Sequence, residues 1–144
     1  MTEPGTEVMG AVLLDTDVLI DHLRGGRRLR IGSHMSVSMV TRTELYAGHQ
    51  RNEPAVEALL TRMGELDVDG AIARTAGRIK RDVGLKIADA LIAATALEHR
   101  LPLMTRNRRH FERVGGLEVH DPLDEPSSDT DDEGTDSAAS QSAP

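Results

Sequence analysis

The chain has 144 residues, enough for one ordinary domain, with no cysteine, no tryptophan, one tyrosine and one phenylalanine. Lack of cysteine excludes disulfides, thiolate metal sites and cysteine nucleophiles, and Tyr46 and Phe111 are too few to build a base-stacking platform for RNA. The net charge of −7 comes from one end: eight of the 24 acidic residues lie in 121–144, where no Lys or Arg occurs, which leaves 16 acids against 17 Lys plus Arg in residues 1–120.

No apolar run approaches the roughly 18 residues that cross a bilayer, and Met1–Glu7 lacks the basic and apolar regions of a signal peptide. A soluble, cytoplasmic protein without membrane contact is therefore expected. Residues 1–10 read as a flexible lead-in in which Met9 is a second candidate start. Residues 122–144 are mostly Ser, Asp, Thr, Ala and Pro, with a single large apolar residue, Leu123. They bury too little surface to offset their ordering entropy, so a disordered acidic tail is expected. Folding is left to residues 11–121.

Within that span, Ala11–Leu14 is a short continuous apolar run, the pattern of a strand buried on both faces. Asp17 is placed to cap a helix carrying Val18, Leu19, Ile20 and Leu23, which Gly25-Gly26 ends. Met35–Val40 reads as a second strand. Thr41–His49 reads as a helix with Thr41 and Glu44 at capping-box spacing. Pro54–Met63 aligns Val56, Leu59, Leu60 and Met63 on one helical face, and Leu66–Val68 reads as a short strand. Ala71–Val83 and Ala88–His99 are helical patterns. Leu101–Thr105 is strand-like, Asn107–Val114 a short helix, and Leu117–Val119 a last strand. Apolar strands alternating with helices predict an α/β/α sandwich around a short, mostly parallel sheet.

Such a sheet binds its ligands at the strand carboxyl ends. Asp15 directly follows the first strand, and Thr105 and Asn107 follow the Leu103-Met104 strand. Glu44 and Asp89 lie in early turns of helices. Each has a plainer reading: Asp17 as a cap, Glu44 completing the capping box, Asp89 complementing a helix dipole, Asn107 as an N-cap. Together they are harder to dismiss. If Asp15, Glu44 and Asp89 converge within about 5 Å, each pair repels by a few kcal/mol at an effective dielectric near 20, and a bound cation makes such a cluster tolerable. Hard oxygen donors, with no histidine pair at metal spacing, suit Mg²⁺ or Mn²⁺ rather than Zn²⁺. No Gly-x-Ser-x-Gly turn or phosphate-cradling Gly-x-x-x-x-Gly-Lys loop is present. The 15 arginines cluster, against two lysines; Arg106, Arg108 and Arg109 flank the acidic residues, and guanidinium forks suit phosphate oxygens. An acidic metal site rimmed by arginine describes phosphodiester cleavage.

Four stretches stand in the order and spacing of a PIN-domain protein: LDTDVLID over residues 14–21, TRTELYAG over 41–48, IADALIAATA over 87–96 and LMTRNRRHF over 103–111. The chain most resembles the VapC toxins of prokaryotic type II toxin–antitoxin pairs. The resemblance covers about residues 11–120. It implies a Mg²⁺-dependent endoribonuclease, Mn²⁺ serving as the alternative ion, restrained by a cognate VapB antitoxin, with RNA as substrate and a homodimer as the expected assembly. Asp15 and Asp89 match the principal metal-binding aspartates, and Glu44 the acid of the second motif, a further ligand or a holder of metal-bound water. Thr105 matches a residue that orients the site by hydrogen bonding. Asn107 stands where many members carry a fourth acid, so one resident ion is expected rather than two. The antitoxin is expected beside the Arg24–Arg30 segment. An RNA-processing nuclease outside any toxin–antitoxin pair and a non-catalytic RNA-binding scaffold stay open. The acidic tail is a candidate competitor with RNA for the arginines around Arg106.

Overall fold

The computed structural model describes residues 10–26 and 28–122; the lead-in before Gly10 and the acidic segment from Leu123 onward lie outside the described residues. Five strands, β1 (Val12–Leu14), β2 (Met35–Ser38), β3 (Gly64–Leu66), β4 (Leu103–Met104) and β5 (Val119–His120), form one sheet. Their order is β3-β2-β1-β4-β5, and every pairing is parallel. β1 is central, so both of its faces are covered, which is why its three residues are all apolar and at most 3% exposed.

The pleat divides the core in two. Val12 and Leu14 join Met35, Val37 and Met104 on one face, under helices α1 (Thr16–Leu23), α2 (Met39–Tyr46) and α3 (Glu53–Leu60). Leu13 and Leu103 face the other layer, built by α4 (Gly70–Val83), α5 (Ile87–Glu98) and α6 (Arg108–Phe111). In α5, Ala90, Ala93, Ala94 and Ala96 are all fully buried, small side chains that let the helix lie close to the sheet and against α4. The expected three-layer sandwich is thus present, with a sheet that is wholly parallel among the described residues.

Several boundaries differ from the sequence pattern, each for a local reason. The second strand stops at Ser38, whose hydroxyl accepts the Val40 N–H at 3.0 Å and caps α2, which starts two residues before Thr41. Thr41 is thereby a fully buried residue inside the helix, and no capping box with Glu44 forms. The first helix is capped by Asp15, not Asp17. β3 lies at Gly64–Leu66, two residues early, because Asp69 is committed to capping α4 through the Ile72 N–H. α4 ends where Gly84 adopts φ +88°, a left-handed conformation that favours glycine. The edge strand β3 is fastened to α2 by Arg42, whose guanidinium forks onto both Glu65 oxygens at 2.5 and 2.8 Å.

His22, in the last turn of α1, closes the following turn: its Nδ1 accepts the Leu29 N–H at 3.0 Å. The ring must then be neutral with its proton on Nε2. Burial, with Arg28 and Arg62 nearby, holds its pKa below the usual histidine value. A depressed folded pKa contributes stability that is present above about pH 6.5 and lost as pH falls through the lower folded value. Urea unfolding between pH 8 and 5 should show this loss in the wild type and a flatter profile in His22→Asn, which keeps an acceptor that cannot be protonated. His22→Leu leaves the buried Leu29 N–H unpaired and should cost about 1–3 kcal/mol at pH 8.

Candidate functional site

Because β1 and β4 are parallel neighbours with Leu14 opposite Met104, the residues that follow them, Asp15 and Thr105, emerge side by side. Thr105 Oγ1 donates to Asp15 Oδ2 at 2.7 Å, the Thr16 N–H donates to Asp15 Oδ1 at 2.8 Å, and the Asn107 N–H donates to Thr105 Oγ1 at 3.0 Å. Asp15 is only 5% exposed. On the other side, Thr16 Oγ1 lies 2.5 Å from Glu44 Oε1 and 3.0 Å from Thr41 Oγ1. A carboxylate only accepts, so the single Thr16 proton goes to Glu44 and Thr41 donates to Thr16 in turn.

Asp15, Asp17, Glu44, Asp89 and Asn107 line one open cleft of about 230 Å³, with Ile20 and Phe111 as apolar walls. All four of the principal residues expected from sequence therefore reach the same place, with Thr105 buried beneath them. Asn107 does stand at the N-cap position of α6, as its plainer reading expects, but its side chain makes no capping bond. The side chains line the cleft without closing on one point: among the described residues no three carboxylates or imidazoles are grouped tightly enough to hold an ion.

The electrostatics of the cleft are unfavourable as it stands. Burial pushes the Asp15 carboxyl up to about 7, helped by the charges of Asp17 and Asp89 and opposed by its hydrogen bonds from Thr105 and Thr16. Asp17 is also raised by burial, against a pull downward from the Arg106 backbone N–H and guanidinium. The three flanking arginines differ. Arg106 is drawn to Asp21 at 3.3 Å and Arg108 to Glu112 at 3.0 Å, whereas Arg109 is exposed and without an ion pair among the described residues.

Ile20 and Glu44 also border a larger groove of about 500 Å³ between α1, α2 and α3, lined by Leu23, Arg24, Leu45, Arg51 and Val56. Three polar residues escaped the sequence reading. Thr16 donates to Glu44 and Thr41 donates to Thr16 behind it; the signal available was Thr41 three residues before Glu44, which the spacing suggested only as a cap. His110 Nε2 lies 3.2 Å from Asp89 Oδ2, a contact between segments 21 residues apart that no local spacing announces.

Residues 12–117 match the PIN domain family. The chain is 35% identical over 120 residues to Ribonuclease VapC19 of Mycobacterium tuberculosis, an alignment covering 74% of this chain and 96% of that protein. It is 36% identical over 98 residues to the tRNA(fMet)-specific endonuclease VapC of Shigella flexneri, covering 60% of this chain and 74% of that protein. Among solved structures, the DNA-bound VapBC of Salmonella typhimurium superposes with a TM-score of 0.69 at 27% identity, over 78% of this chain and 98% of the matched chain. A toxin–antitoxin complex from Klebsiella pneumoniae gives 0.64 at 30% identity, over 74% and 95%.

The raised Asp15 carboxyl makes a stability prediction. Its folded pKa of about 7 lies above the unfolded value of 3.8. Its contribution is therefore fully present below pH 3.8 and lost as pH rises through 7, a loss of order a few kcal/mol. Asparagine removes that loss but leaves the Thr105 hydroxyl to find another acceptor, at about 1 kcal/mol. In chelator-treated protein, Asp15→Asn should be more stable than wild type at pH 8 and no more stable at pH 4, a crossover that urea unfolding at the two pH values will show.

Proposed function

The chain belongs to the VapC-type PIN-domain family, and from that membership together with the cleft we propose that it is an endoribonuclease, the toxin of a VapBC-type pair, hydrolysing RNA phosphodiester bonds with Mg²⁺ and accepting Mn²⁺. The observation that carries this reading is Asp15, a carboxylate 5% exposed with Asp17 and Asp89 raising its pKa further and, among the described residues, no basic side chain lining the cleft. Such a group needs a cation more than a proton donor. The relatives named as ribonucleases and the neighbours solved as toxin–antitoxin complexes support the same reading.

The donor chemistry fits a hard divalent ion: Asp15, Asp17, Glu44 and Asp89 bring carboxylate oxygens to the cleft and Asn107 an amide oxygen, and a bound ion would draw them closer together than they stand. Asp15 and Asp89 would hold the ion and Glu44 would be a further ligand. When bound, the ion would stabilise charge on the phosphoryl oxygens and supply hydroxide from water at neutral pH. The protein's own groups prepare for this. Thr105 fixes Asp15 by holding Oδ2, and the Thr41–Thr16 hydroxyl pair fixes Glu44. Asn107 lines the cleft as a neutral amide and adds no charge for a second ion. Arg109, with Arg106 and Arg108, would hold the RNA backbone by guanidinium–phosphate pairing. The groove between α1, α2 and α3 is the place for a VapB-like segment: Leu23, Leu45 and Val56 line it together with Arg24 and Arg51, and it shares Ile20 and Glu44 with the cleft.

Purified protein should cleave single-stranded or loop RNA with Mg²⁺ or Mn²⁺ and stop in EDTA, with activity restored by excess Mg²⁺. Asp15→Asn and Asp89→Asn should each lower the rate by about 10²-fold or more; undiminished cleavage in EDTA, or by both variants, overturns the reading. Asn107→Asp should add ligand charge and lower the Mg²⁺ concentration for half-maximal cleavage. For the partner, Ala55→Glu, an exposed change in the larger groove, should reduce co-purification with a co-expressed VapB-like antitoxin while leaving RNA cleavage intact.

A further inference from the structure

Asp89 sits in the first turn of α5, where Ala88, Ala90 and Ala93 surround it in sequence with no polar side chain. A carboxylate there has nothing on its own helix to fix its rotamer. Among the described residues, its one side-chain hydrogen bond comes from across the fold: His110 Nε2 stands 3.2 Å from Oδ2, both side chains being 28% exposed. A carboxylate only accepts, so the imidazole proton resides on Nε2 and the ring donates.

The histidine is itself held. Its neighbour Phe111 is 1% exposed in the core beneath α5, and the two rings meet edge to face at 5.4 Å and 85°. α6 is four residues long, so Phe111 anchors the whole turn and with it the imidazole. One carboxylate oxygen of Asp89 is thus engaged from outside the cleft, while the residue still lines the cleft beside Asp15.

We propose that His110 is a positioning residue for Asp89: its Nε2–H holds Oδ2 so that Oδ1 is presented to the cleft and to a divalent cation there. This rests on the cleft being a cation site. It assigns His110 the outer role that fixes a ligand's orientation, a role whose loss typically weakens metal affinity by about 10–100-fold. It involves no change in the protonation of the imidazole.

The test is Mn²⁺ binding to the full-length protein, followed by the electron paramagnetic resonance signal of free Mn²⁺, with thermal unfolding as the check on folding. His110→Leu keeps the bulk against Phe111 and removes the donor; it should weaken Mn²⁺ binding about 10–100-fold and raise the Mn²⁺ needed for half-maximal RNA cleavage in proportion. His110→Gln places an amide N–H at similar reach and should regain most of the loss. In an Asp89→Asn background, His110→Leu should add little further loss, because the two act as one unit. Wild-type affinity in His110→Leu, tighter binding, equal losses in the Leu and Gln variants, or an undiminished effect without Asp89 would each overturn the proposal while leaving the cation reading intact. A wild-type protein that takes up no Mn²⁺ and cleaves RNA in EDTA overturns the cation reading, and this proposal with it.

Discussion

A carboxylate buried at the end of the central strand is the constraint around which the molecule is arranged. In an all-parallel sheet every carboxyl end points the same way, and β1 lies between β2 and β4, so the residue after Leu14 has protein on both sides. That residue is Asp15. It receives what a buried anion can be given locally: the Thr16 N–H, the Thr105 hydroxyl, and the N-terminal end of α1, whose dipole favours negative charge. Burial and the two neighbouring aspartates outweigh these, and the carboxyl is raised to about 7. A fold selected for stability alone would place Asn or Ser at this cap. An acid there makes sense where a cation completes the arrangement.

From Asp15 a run of hydroxyl contacts spreads through the elements that converge on the cleft. Thr105 joins β4 to the end of β1, while Thr16, the first residue of α1, joins Glu44 and Thr41 on α2. Thr41, Thr105 and Thr16 are all buried, the first two with no exposed surface, so these bonds form away from competing water and fix geometry more firmly than surface contacts do. The position of Glu44 therefore depends on where α2 begins. Since Ser38 rather than Thr41 caps that helix, Glu44 falls past its first turn, free of any backbone N–H and available to the cleft.

The parts of this arrangement that were legible in sequence are those set by periodicity and by burial on both faces. Val12-Leu13-Leu14 had no polar residue because a central strand leaves none exposed, and the alanines of α5 were small because the helix lies against the sheet; both signals are local and survived. The helix starts were less legible. Asp15, Asp17, Ser38 and Thr41 are all acceptable caps by composition, and the choice between them is made by strand register, which the sequence does not display. Asp15, Glu44, Asp89, Asn107 and Thr105 were found because the four stretches that carry them are distinctive. His110 was passed over because a histidine outside metal spacing looks like any other surface histidine until α6 is packed against α5.

Under the proposed function, regulation would follow from one shared wall. Ile20 and Glu44 border both the cleft and the larger groove, so a segment bound in the groove would lie against one of the acidic residues of the cleft. A groove on the far side of the sheet would need a conformational change to influence the cleft. This one needs only occupancy, since a basic side chain at the end of the bound segment would satisfy the same carboxylates that favour a cation. Under the proposed function, then, the unfavourable charge of the cleft serves two partners. It draws the ion that supports hydrolysis, and it rewards a basic group that excludes that ion. Arg106 shows the principle within the chain: its backbone N–H is turned toward Asp17, which lines the cleft, and its guanidinium pairs with Asp21. The same acidity that makes the site expensive to fold thus makes it easy to occupy and easy to block.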